Sequence, residues 1–455
     1  MNIDSSIFKA YDIRGLYPKQ INKDSAYAIG RAFGIFVKDF YNIANPKIVV
    51  GYDIRNSSQE LLEGIIQALS LEGCDVIDMG LCTTPMNYFA NWYLKVDASV
   101  MITASHNPKG YNGLKFSLKG VMALAEVGGI EKIKEVLLSE SLPPISESQI
   151  KKGEIRKQNL LPDYLNFLSA EAEGIDFSKI KIAVDCGNGM VGPIFEKLAK
   201  KIGLNYKGFF MDMDGNFPNH EPNPLDKNAL LKIKELMSKE KFDLGILFDG
   251  DGDRFILLDN QGELIKTDFL IALFAQFFLP QMENKKIPCD TRISRGVREA
   301  IEEIGGEVIK SKVGYPYLRK AMRRESAFLG GELSGHFFWQ DFSYSESALL
   351  TMIRLLKILI EKNQSIRRLI EPMEKYFNSG EINFKVESKE TTIKKIEEKF
   401  SDGNISKLDG LTVEYKDWWF NVRPSNTEPL LRLTIEAESE ELLIQKEREL
   451  KELIE

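Results

Sequence analysis

MITASHNPKGYNGLK, from Met101 to Lys115, is the stretch around which the rest of the chain is best interpreted. The apolar run 98–102 is typical of a buried strand, and the turn-forming residues 107–113 follow it. We therefore expect Ser105 to lie on a loop at the end of a strand. A serine hydroxyl takes part in chemistry only when a base, a metal or a phosphoryl group activates it. By itself the stretch is equally consistent with a reactive serine and with an ordinary polar turn.

The composition is that of a globular protein with several domains. The chain has 455 residues, of which 43% are hydrophobic and 28% are charged, and a prior of about 150 residues per domain predicts about three domains. The net charge of -7 argues against a broad nucleic-acid-binding surface, which needs clustered lysines and arginines. No apolar run is long enough to span a membrane, and no basic start precedes an apolar stretch. We therefore expect a cytoplasmic protein with no membrane partner.

Cysteine and histidine are too few and too scattered for a transition-metal centre. The four cysteines contain no CxxC pair, so neither a zinc site nor a disulfide framework is predicted, and we expect core thiols. With only three histidines, carboxylates are the expected ligands of any hard metal ion. The residues concerned are Cys74, Cys82, Cys186, Cys289, His106, His220 and His336.

Helix-like and strand-like segments alternate along most of the chain, which is typical of α/β folds. A helical pattern covers 26–40, and apolar strands that run into polar loops cover 47–53, 181–185 and 242–248. Near the C-terminus, strand-like runs cover 381–386 and 430–436. Such α/β sheets bind ligands outside the carboxyl ends of their strands. Ser105 and the loop after the strand at 242–248 both fall at such ends.

The sequence DGDGDR, residues 249–254, is the most specific local signal for a metal. Its carboxylates, Asp249, Asp251 and Asp253, are separated by glycines and can converge on one cation. Oxygen ligands of this kind suit Mg²⁺. An EF-hand calcium loop is the alternative, but it ends in a glutamate after a longer span, whereas this loop directly follows an apolar strand. A solvated acidic turn is disfavoured because three like charges repel one another without a cation.

The loop GGELSGH, residues 330–336, carries groups suited to sugar hydroxyls. Glu332 can accept hydrogen bonds from two adjacent hydroxyls, and His336 can exchange a proton near neutral pH. The alternative is a turn in which Glu332 and His336 satisfy each other.

The loop RPSNTEP, residues 423–429, combines a guanidinium group, hydroxyls and backbone amides. Arg423, Ser425 and Thr427 are the residue types that hold a phosphate dianion. The alternative is a turn stiffened by its prolines. Arg432 lies close enough in sequence to add a second positive charge, or to pair with a surface carboxylate.

Near the N-terminus, Tyr11 and Arg14 lie in a short polar segment that can approach the Ser105 loop. His106 and Lys115, within or next to that loop, are candidate helpers of the serine. A serine loop, a metal loop, a hydroxyl-binding loop and a phosphate-binding loop together describe phosphoryl transfer on a sugar phosphate.

These four loops resemble, in the same order, those of the α-D-phosphohexomutase superfamily, and within it the bacterial and archaeal phosphomannomutase/phosphoglucomutase branch. TASHNPKGYNGLK is similar to the phosphoserine loop, DGDGDR to the metal loop, GELSGH to the sugar-recognition loop and RPSNTEP to the phosphate-binding loop. The resemblance covers the whole chain. It implies three consecutive α/β mixed-sheet domains and a smaller C-terminal α+β domain around a central active-site cleft. We place these domains at 1–152, 153–257, 258–368 and 369–455.

The resemblance also implies an intramolecular phosphotransferase, an isomerase that interconverts hexose 1-phosphate and hexose 6-phosphate. Ser105 would carry a phosphoryl group beside one Mg²⁺, and a hexose 1,6-bisphosphate would be the intermediate and activator. The implied catalytic residues are Ser105, Lys115, Arg14, His106 and His336, and the implied metal ligands are Ser105, Asp249, Asp251 and Asp253. The implied substrate-binding residues are Tyr11, Arg254, Arg292, Tyr315, Glu332, Ser334, His336, Arg423, Ser425, Asn426, Thr427 and Arg432.

The chain departs from the family pattern in three places. Tyr315 follows Lys-Val-Gly where many relatives have Lys-Thr-Gly-His, and with an ordinary pKa of about 10 it is a hydrogen-bond donor but a poor proton carrier. Arg292 replaces a lysine, which keeps the charge and removes a base. Glu346 and Ser347 replace paired aspartates, and the sequence offers no physical reason for this change.

Two hypotheses compete with a mutase acting on mannose and glucose phosphates. A phosphoglucosamine mutase has the same fold and differs in its substrate. A non-catalytic sugar-phosphate-binding relative is suggested by the changed residues Arg292 and Tyr315, but the intact metal loop argues against it. In each case the partner is a small sugar phosphate, and we expect a monomer or a homodimer.

Overall fold

The computed structural model describes residues 3–144, 152–425 and 430–455. Residues 426–429 of the predicted phosphate-binding loop, which include Asn426 and Thr427, therefore lie outside the described residues.

The chain divides into two compact units. Unit 1 comprises Met1–Ile265 and Gly335–Ile366, and unit 2 comprises Lys266–Ser334 and Arg367–Glu455.

Strands and helices alternate through the described parts of both units. The strands are β1 Ile13–Leu16, β2 Lys47–Tyr52, β3 Asp75–Leu81, β4 Ala98–Ile102, β5 Tyr111–Leu118, β6 Met122–Ala123, β7 Ile155–Lys157, β8 Lys181–Asp185, β9 Asn205–Phe209, β10 Leu244–Phe248, β11 Phe255–Leu258, β12 Leu264–Ile265, β13 Lys286–Asp290, β14 Glu307–Ser311, β15 Leu329–Gly331, β16 Phe337–Trp339, β17 Ser345–Glu346, β18 Phe377–Phe384, β19 Asn404–Ser406, β20 Leu411–Glu414, β21 Trp418–Pro424 and β22 Leu431–Ala437. The α-helices are α1 Lys23–Tyr41, α2 Ser58–Leu71, α3 Thr84–Tyr93, α4 Gly129–Leu138, α5 Leu161–Ala170, α6 Gly192–Ile202, α7 Lys227–Ser238, α8 Thr267–Phe278, α9 Arg295–Glu303, α10 Tyr315–Glu325, α11 Ala348–Lys362, α12 Ile366–Ile370, α13 Lys389–Lys399 and α14 Glu440–Ile454.

The first sheet of unit 1 has the strand order β1-β5-β4-β2-β3-β7, with β6 paired to β5. Strands β4, β2, β3 and β7 are parallel, whereas β5 runs antiparallel to β4 and β1. Every residue of β4 is buried, as expected of a strand covered on both faces. Helix α1 begins with a capping box between Asn22 and Ser25 and packs against α2. The helix predicted at 26–40 and the strand predicted at 47–53 are confirmed.

The second sheet of unit 1 has the order β12-β11-β10-β8-β9. Strands β10, β8 and β9 are parallel, and β11 and β12 are antiparallel. DGDGDR forms the connection between β10 and β11, so the aspartates directly follow a fully buried strand. Unit 1 also contains the antiparallel pair β16 and β17 and the largely buried helix α11.

In unit 2, β13 pairs in parallel with β14 and β15. The C-terminal sheet is antiparallel throughout, in the order β18-β22-β21-β20-β19. A strand was expected at 381–386, whereas β18 begins at Phe377. The reason is a bulge between Asn378 and Glu381, which lets a turn-like segment continue the pairing with β22.

The predicted fold class, three mixed α/β domains followed by a smaller α+β domain, is confirmed. The four domain bounds and the central cleft stay predictions, and β7 pairs with the first sheet although it follows residue 152. All four cysteines are buried and free, as predicted, and burial raises the pKa of Cys74 to about 12. Among the described residues, no helix is both long and apolar enough to cross a membrane.

Candidate functional site

Ser105 lies where the sequence predicts, on the loop that follows β4. Its backbone is left-handed, with φ 51°, and its N–H donates to Thr103 Oγ1 over 2.8 Å. Such a backbone is uncommon for a residue with a side chain and marks a constrained loop. The buried Oγ is 3.2 Å from Asp249 Oδ2 and 3.2 Å from His106 Nδ1. The hydroxyl therefore faces the predicted metal loop.

The three aspartates of the metal loop are buried together. Asp249, Asp251 and Asp253 each offer a ligand atom within 4.8 Å of the others. Oδ1 of Asp251 is buried without a hydrogen-bond partner, which costs free energy unless something binds it. Burial and the charges of Asp253 and Asp251 raise the pKa of Asp249 well above its usual value. A hard divalent cation would relieve the repulsion and satisfy the oxygen, so these residues fit Mg²⁺.

Two side-chain cations neutralise part of this charge. Lys115, on β5, has Nζ 2.8 Å from Asp251 Oδ2 and 2.6 Å from Asp253 Oδ2. Burial would lower the pKa of Lys115, but these two carboxylates outweigh it and raise that pKa well above its usual value. Arg254 Nε donates to Asp249 Oδ2 over 3.0 Å, and Arg254 Nη2 is buried without a hydrogen-bond partner. Counted as ionised groups, three carboxylates thus face two cations.

His336 lies against the same cluster. Its Nε2 is 3.3 Å from Asp253 Oδ1, and the carboxylate of Glu346, on β17, has an oxygen within 4.8 Å of the facing atoms of both. Ser347, next in the chain, accepts a hydrogen bond from the Leu350 N–H over 3.3 Å and caps helix α11. Glu346 thus lies beside the aspartates and Ser347 caps a helix, but an aspartate would cap that helix equally well, so the structure does not explain the replacement of the paired aspartates.

His106 is held in its neutral form. Burial lowers the pKa of His106 well below its usual value, and the positive charges of Arg254 and Arg14 lower it further. At neutral pH its Nδ1 therefore shares a hydrogen bond with Ser105 Oγ as an uncharged ring.

Arg14 contacts the Ser105 loop, as the sequence predicts. Its Nη1 donates to Asn107 Oδ1 over 2.7 Å, and its Nη2 is 2.7 Å from Asp12 Oδ2. Tyr11 lies in the bend just before this pair and is half-buried.

Arg55 is a second support of the Ser105 loop, and sequence reasoning missed it. Its guanidinium is buried and lies 3.2 Å from Asp53 Oδ2 through Nε. Its two terminal nitrogens donate to four loop carbonyls, those of Ser105 (2.7 Å), Asn107 (2.6 Å), Pro108 (2.9 Å) and Tyr111 (3.1 Å). Every nitrogen of this side chain is therefore engaged: Nε binds Asp53, and the two terminal nitrogens hold the loop.

In unit 2, Glu332 is buried and accepts hydrogen bonds from the Gly314 N–H over 2.7 Å and from Ser334 Oγ over 3.0 Å. Tyr315, the first residue of α10, is buried beside that glycine.

The predicted phosphate-binding arginines of unit 2 form one cluster around a carboxylate. Glu381 Oε2 accepts from Arg292 Nη1 over 2.9 Å and from Arg423 Nη2 over 2.7 Å, and Oε1 is 2.9 Å from Arg432 Nη1. Asp290 binds Arg292 through two further hydrogen bonds of 3.0 Å. We call these five residues the arginine cluster.

Ser425 is buried directly after β21, two residues from Arg423 of the arginine cluster. Its N–H donates to the Leu430 carbonyl over 2.8 Å, which closes the phosphate-binding loop. The other two predicted residues of this loop, Asn426 and Thr427, lie outside the described residues.

A short sequence pattern marks several residues that support the site. An aspartate followed two residues later by an arginine occurs three times, and each time the two side chains form an ion pair, at 2.7, 3.2 and 3.0 Å. The pairs are Asp12 with Arg14, Asp53 with Arg55, and Asp290 with Arg292. Glu381 had no such signal because its partners are remote in sequence.

Four family models match this chain in order. They are described as phosphoglucomutase/phosphomannomutase alpha/beta/alpha domains I, II and III and the C-terminal domain of the same proteins, and they match residues 5–142, 162–262, 266–376 and 381–452.

Relatives of similar length are found in bacteria and archaea. A phosphomannomutase from Methanocaldococcus jannaschii is 40% identical over 453 residues, covering 99% of this chain and 98% of that protein. A phosphomannomutase from Escherichia coli K12 is 34% identical over 439 residues, covering 94% of each. The crystal structure of a phosphoglucomutase/phosphomannomutase family protein from Burkholderia thailandensis is similar, with a TM-score of 0.88, 32% identity, and coverage of 99% of this chain and 97% of that chain. The chain therefore belongs to the phosphoglucomutase/phosphomannomutase family.

Proposed function

We propose that this chain is a phosphohexomutase that interconverts the 1-phosphates and 6-phosphates of mannose and glucose. The observation that carries the proposal is Ser105 Oγ, 3.2 Å from Asp249 within a buried aspartate triad. Membership of the family and the relatives named phosphomannomutase support the same reaction. Sugar phosphates are then its small-molecule partners, while a cytoplasmic location and a monomer or homodimer stay predictions.

In the proposed cycle, Ser105 carries a phosphoryl group and passes it to the free hydroxyl of a bound hexose monophosphate. The bond from phosphorus to Ser105 Oγ breaks, a bond from phosphorus to the sugar oxygen forms, the sugar hydroxyl loses its proton to a base, and Oγ gains a proton as it leaves. The product of this step is a hexose 1,6-bisphosphate. Transfer of its other phosphoryl group back to Ser105 restores the enzyme and releases the isomer.

Residues around the aspartate triad are proposed to stabilise the negative charge of the phosphoryl group during its transfer. Mg²⁺ held by Asp249, Asp251 and Asp253 would neutralise negative charge on the phosphoryl oxygens. Lys115 holds two of these carboxylates in position, and Arg254 Nη2 is a buried donor that a phosphoryl oxygen can satisfy. Positioned donors of this kind need no rearrangement as charge develops.

Histidines are proposed to handle the protons. The ring of His336 is held by Asp253, and that carboxylate would stabilise the imidazolium that forms when His336 accepts the sugar proton. His106, as a neutral ring, keeps Ser105 Oγ in place. Arg14 adds a positive charge next to the loop.

Recognition of the sugar and of the second phosphate is proposed for residues of unit 2 and for the N-terminal segment of unit 1. Glu332 and Ser334 would bind hydroxyls, and because both can turn toward either epimer, mannose and glucose are both accepted. The proposed phosphate and hydroxyl donors are Tyr11, Arg292, Tyr315, Arg423, Ser425, Asn426, Thr427 and Arg432.

Replacing Ser105 tests the proposal. We expect Ser105→Ala to lower turnover of mannose 1-phosphate and glucose 1-phosphate by more than about 10³-fold, because no other group can carry the phosphoryl group. The measurement is a coupled assay for the 6-phosphate, with a catalytic trace of glucose 1,6-bisphosphate so that every preparation can be phosphorylated. Glucosamine 1-phosphate in the same assay separates this reaction from that of a phosphoglucosamine mutase.

Ser99→Ala is the matched control, since Ser99 is a buried serine on β4 whose partner Asn91 also donates to the Leu118 carbonyl. It should retain turnover. Intact-mass measurement should detect one phosphoryl group on the wild-type chain that is lost with substrate and absent from Ser105→Ala. Undiminished turnover by Ser105→Ala would refute the proposal.

A further inference from the structure

The arginine cluster of unit 2 contains an anion that belongs to the chain itself. Arg292, Arg423 and Arg432 each direct a terminal nitrogen to the single carboxylate of Glu381, at 2.7 to 2.9 Å. Arg292 and Arg423 are almost fully buried, whereas 26% of the Glu381 side chain is exposed. The carboxylate therefore covers buried guanidinium groups from the solvent side.

Strand geometry explains why this carboxylate is needed. Arg423 on β21 and Arg432 on β22 are direct cross-strand partners in the antiparallel ladder, and like charges at such positions repel. The bulge between Asn378 and Glu381, with Gly380 at φ 67°, sets the start of the second paired stretch of β18. Glu381 then pairs with Thr434, two residues along β22 from Arg432. The bulge thus brings a carboxylate to the same face as both arginines.

The charges of the cluster leave room for a dianion. Asp290 binds Arg292 through two hydrogen bonds and neutralises one of the three guanidinium groups. Two positive charges remain, which equals the charge of a phosphate monoester dianion, and Glu381 compensates only one of them. Arg423 Nε is buried without a hydrogen-bond partner, so a donor is available to a ligand with more oxygens than a carboxylate.

We propose that Glu381 is a built-in competitor for the phosphate of the substrate: it occupies the arginine cluster in the free enzyme and is displaced by the phosphate dianion of a hexose phosphate. The inference rests on the proposed role of the cluster in phosphate binding. Glu381 keeps the arginines in place between turnovers and weakens the hold on phosphate. An enzyme that must release and rebind a bisphosphate in two orientations benefits from both effects.

The ionisation of Glu381 agrees with this role. Burial would raise the pKa of Glu381, but the charges of Arg292, Arg423 and Arg432 outweigh it and lower that pKa. The residue is therefore an anion wherever the enzyme works, and it competes with phosphate as a charge.

Glu381→Gln tests the proposal in the full-length protein, because it keeps the size of the side chain and removes the charge. We expect the Kd for inorganic phosphate, measured by calorimetry, to fall about tenfold, as is typical when one charge near an anion is removed. KM for mannose 1-phosphate should fall with it, and kcat should fall because product leaves more slowly. The salt dependence of phosphate binding should become steeper.

Glu414→Gln is the matched control. Glu414 is a partly exposed glutamate of the same sheet that pairs with Arg298 and Lys310, away from the cluster. Its replacement should change stability about as much as Glu381→Gln does and leave the Kd for phosphate unchanged. If Glu381→Gln does not fold, Glu381→Asp carries the test, since its shorter carboxylate retreats from the arginines and should tighten phosphate binding to a smaller degree.

Arg423→Gln separates this inference from the function on which it rests. If the Kd for phosphate is unchanged in Arg423→Gln, the cluster is not a phosphate site. The proposed role of the cluster and the inference about Glu381 would then both be wrong. A Kd that rises in Arg423→Gln but does not fall in the folded Glu381 variant would overturn the inference alone. Tighter binding by Glu381→Gln, with no change in Glu414→Gln, supports it.

Discussion

The acidic cluster of unit 1, formed by Asp249, Asp251 and Asp253 with Lys115 and Arg254, and the arginine cluster of unit 2 carry opposite net charges. In each of them the ionised groups of one sign outnumber those of the other sign by one. In the first, three buried carboxylates face Lys115 and Arg254. In the second, three arginines face two carboxylates, Glu381 and Asp290. Each cluster keeps one uncompensated charge and has buried polar atoms without a hydrogen-bond partner, among them Asp251 Oδ1 in the first and Arg423 Nε in the second.

Neither cluster is a charge-balanced ion-pair network of the kind that serves stability alone. A buried charge is costly unless it is paired, and a network kept for stability alone would be balanced. The imbalance of the acidic cluster fits a bound cation, and that of the arginine cluster fits a bound anion.

Removal of the metal should have the largest effect. We expect chelation of divalent cations to lower turnover by about 10³-fold, because the charge of the phosphoryl group is then no longer neutralised. Mg²⁺ should restore turnover and should raise the melting temperature, since a ligand that binds only the native state stabilises it. Asp251→Asn should lose both responses to Mg²⁺.

Glu171→Gln is the control for that substitution, because Glu171 pairs with the buried Arg354 in the same unit and lies outside the cluster. It should keep the response to Mg²⁺. If Mg²⁺ raises the melting temperature of Asp251→Asn as much as that of the wild type, the acidic cluster does not bind the cation.

Arg55 differs from Arg423 in that each of its side-chain nitrogens has a hydrogen-bond partner, whereas Arg423 Nε has none. We expect Arg55→Lys to lower kcat by about 10- to 100-fold, because a lysine cannot hold the four carbonyls that position Ser105. KM should change little, since Arg55 does not contact the sugar in the proposed mechanism. Steady-state kinetics with glucose 1-phosphate measures both constants.

Arg354→Lys is the matched control for Arg55→Lys. Arg354 is equally buried in unit 1, where it pairs with Glu171 and Asp341 and lies 4.2 Å above the Trp339 ring. Both variants should be less stable than the wild type, but only Arg55→Lys should lose kcat. Equal losses of kcat in the two would mean that Arg55 acts through general stability.

The smallest effect is expected at a balanced pair, Asp185 with His220. His220 Nε2 is 3.1 Å from Asp185 Oδ1, and Nδ1 is 2.8 Å from the Glu221 carbonyl, so a protonated ring can donate from both nitrogens. Burial would lower the pKa of His220, but the hydrogen bond and charge of Asp185 outweigh it and raise that pKa. The pair therefore stabilises the fold fully below the unfolded-state pKa of about 6.5 and loses this contribution as pH rises through the folded-state pKa.

His220→Gln should consequently lower the free energy of unfolding by about 1 kcal/mol below pH 6 and by less at alkaline pH. Urea unfolding of the two proteins across this pH range measures the difference. If the difference in the free energy of unfolding between the wild type and His220→Gln grows as pH rises, His220 is neutral in the folded chain. Turnover should be largely retained, since this pair needs no ligand.

Much of the site was predictable because its signals are local. The buried run before Ser105 predicted the end of β4, and the spacing of Asp249, Asp251 and Asp253 predicted their convergence, since both depend on a few adjacent residues. The predicted strand at 381–386 was displaced because the bulge in β18 depends on pairing with β22. Glu381 was missed for the same reason.

The amino-acid sequence by itself determined the α/β class, the order of the four functional loops and the residue types available for phosphoryl transfer. Periodicity, turn residues and carboxylate spacing act over a few residues, so they can be read without a structure. Only the tertiary structure decided which charges meet. Lys115 reaches Asp251 across 136 residues, and Arg423 reaches Glu381 across 42. Such pairs form because packing brings the strand ends together and leaves buried charges no water to pair with.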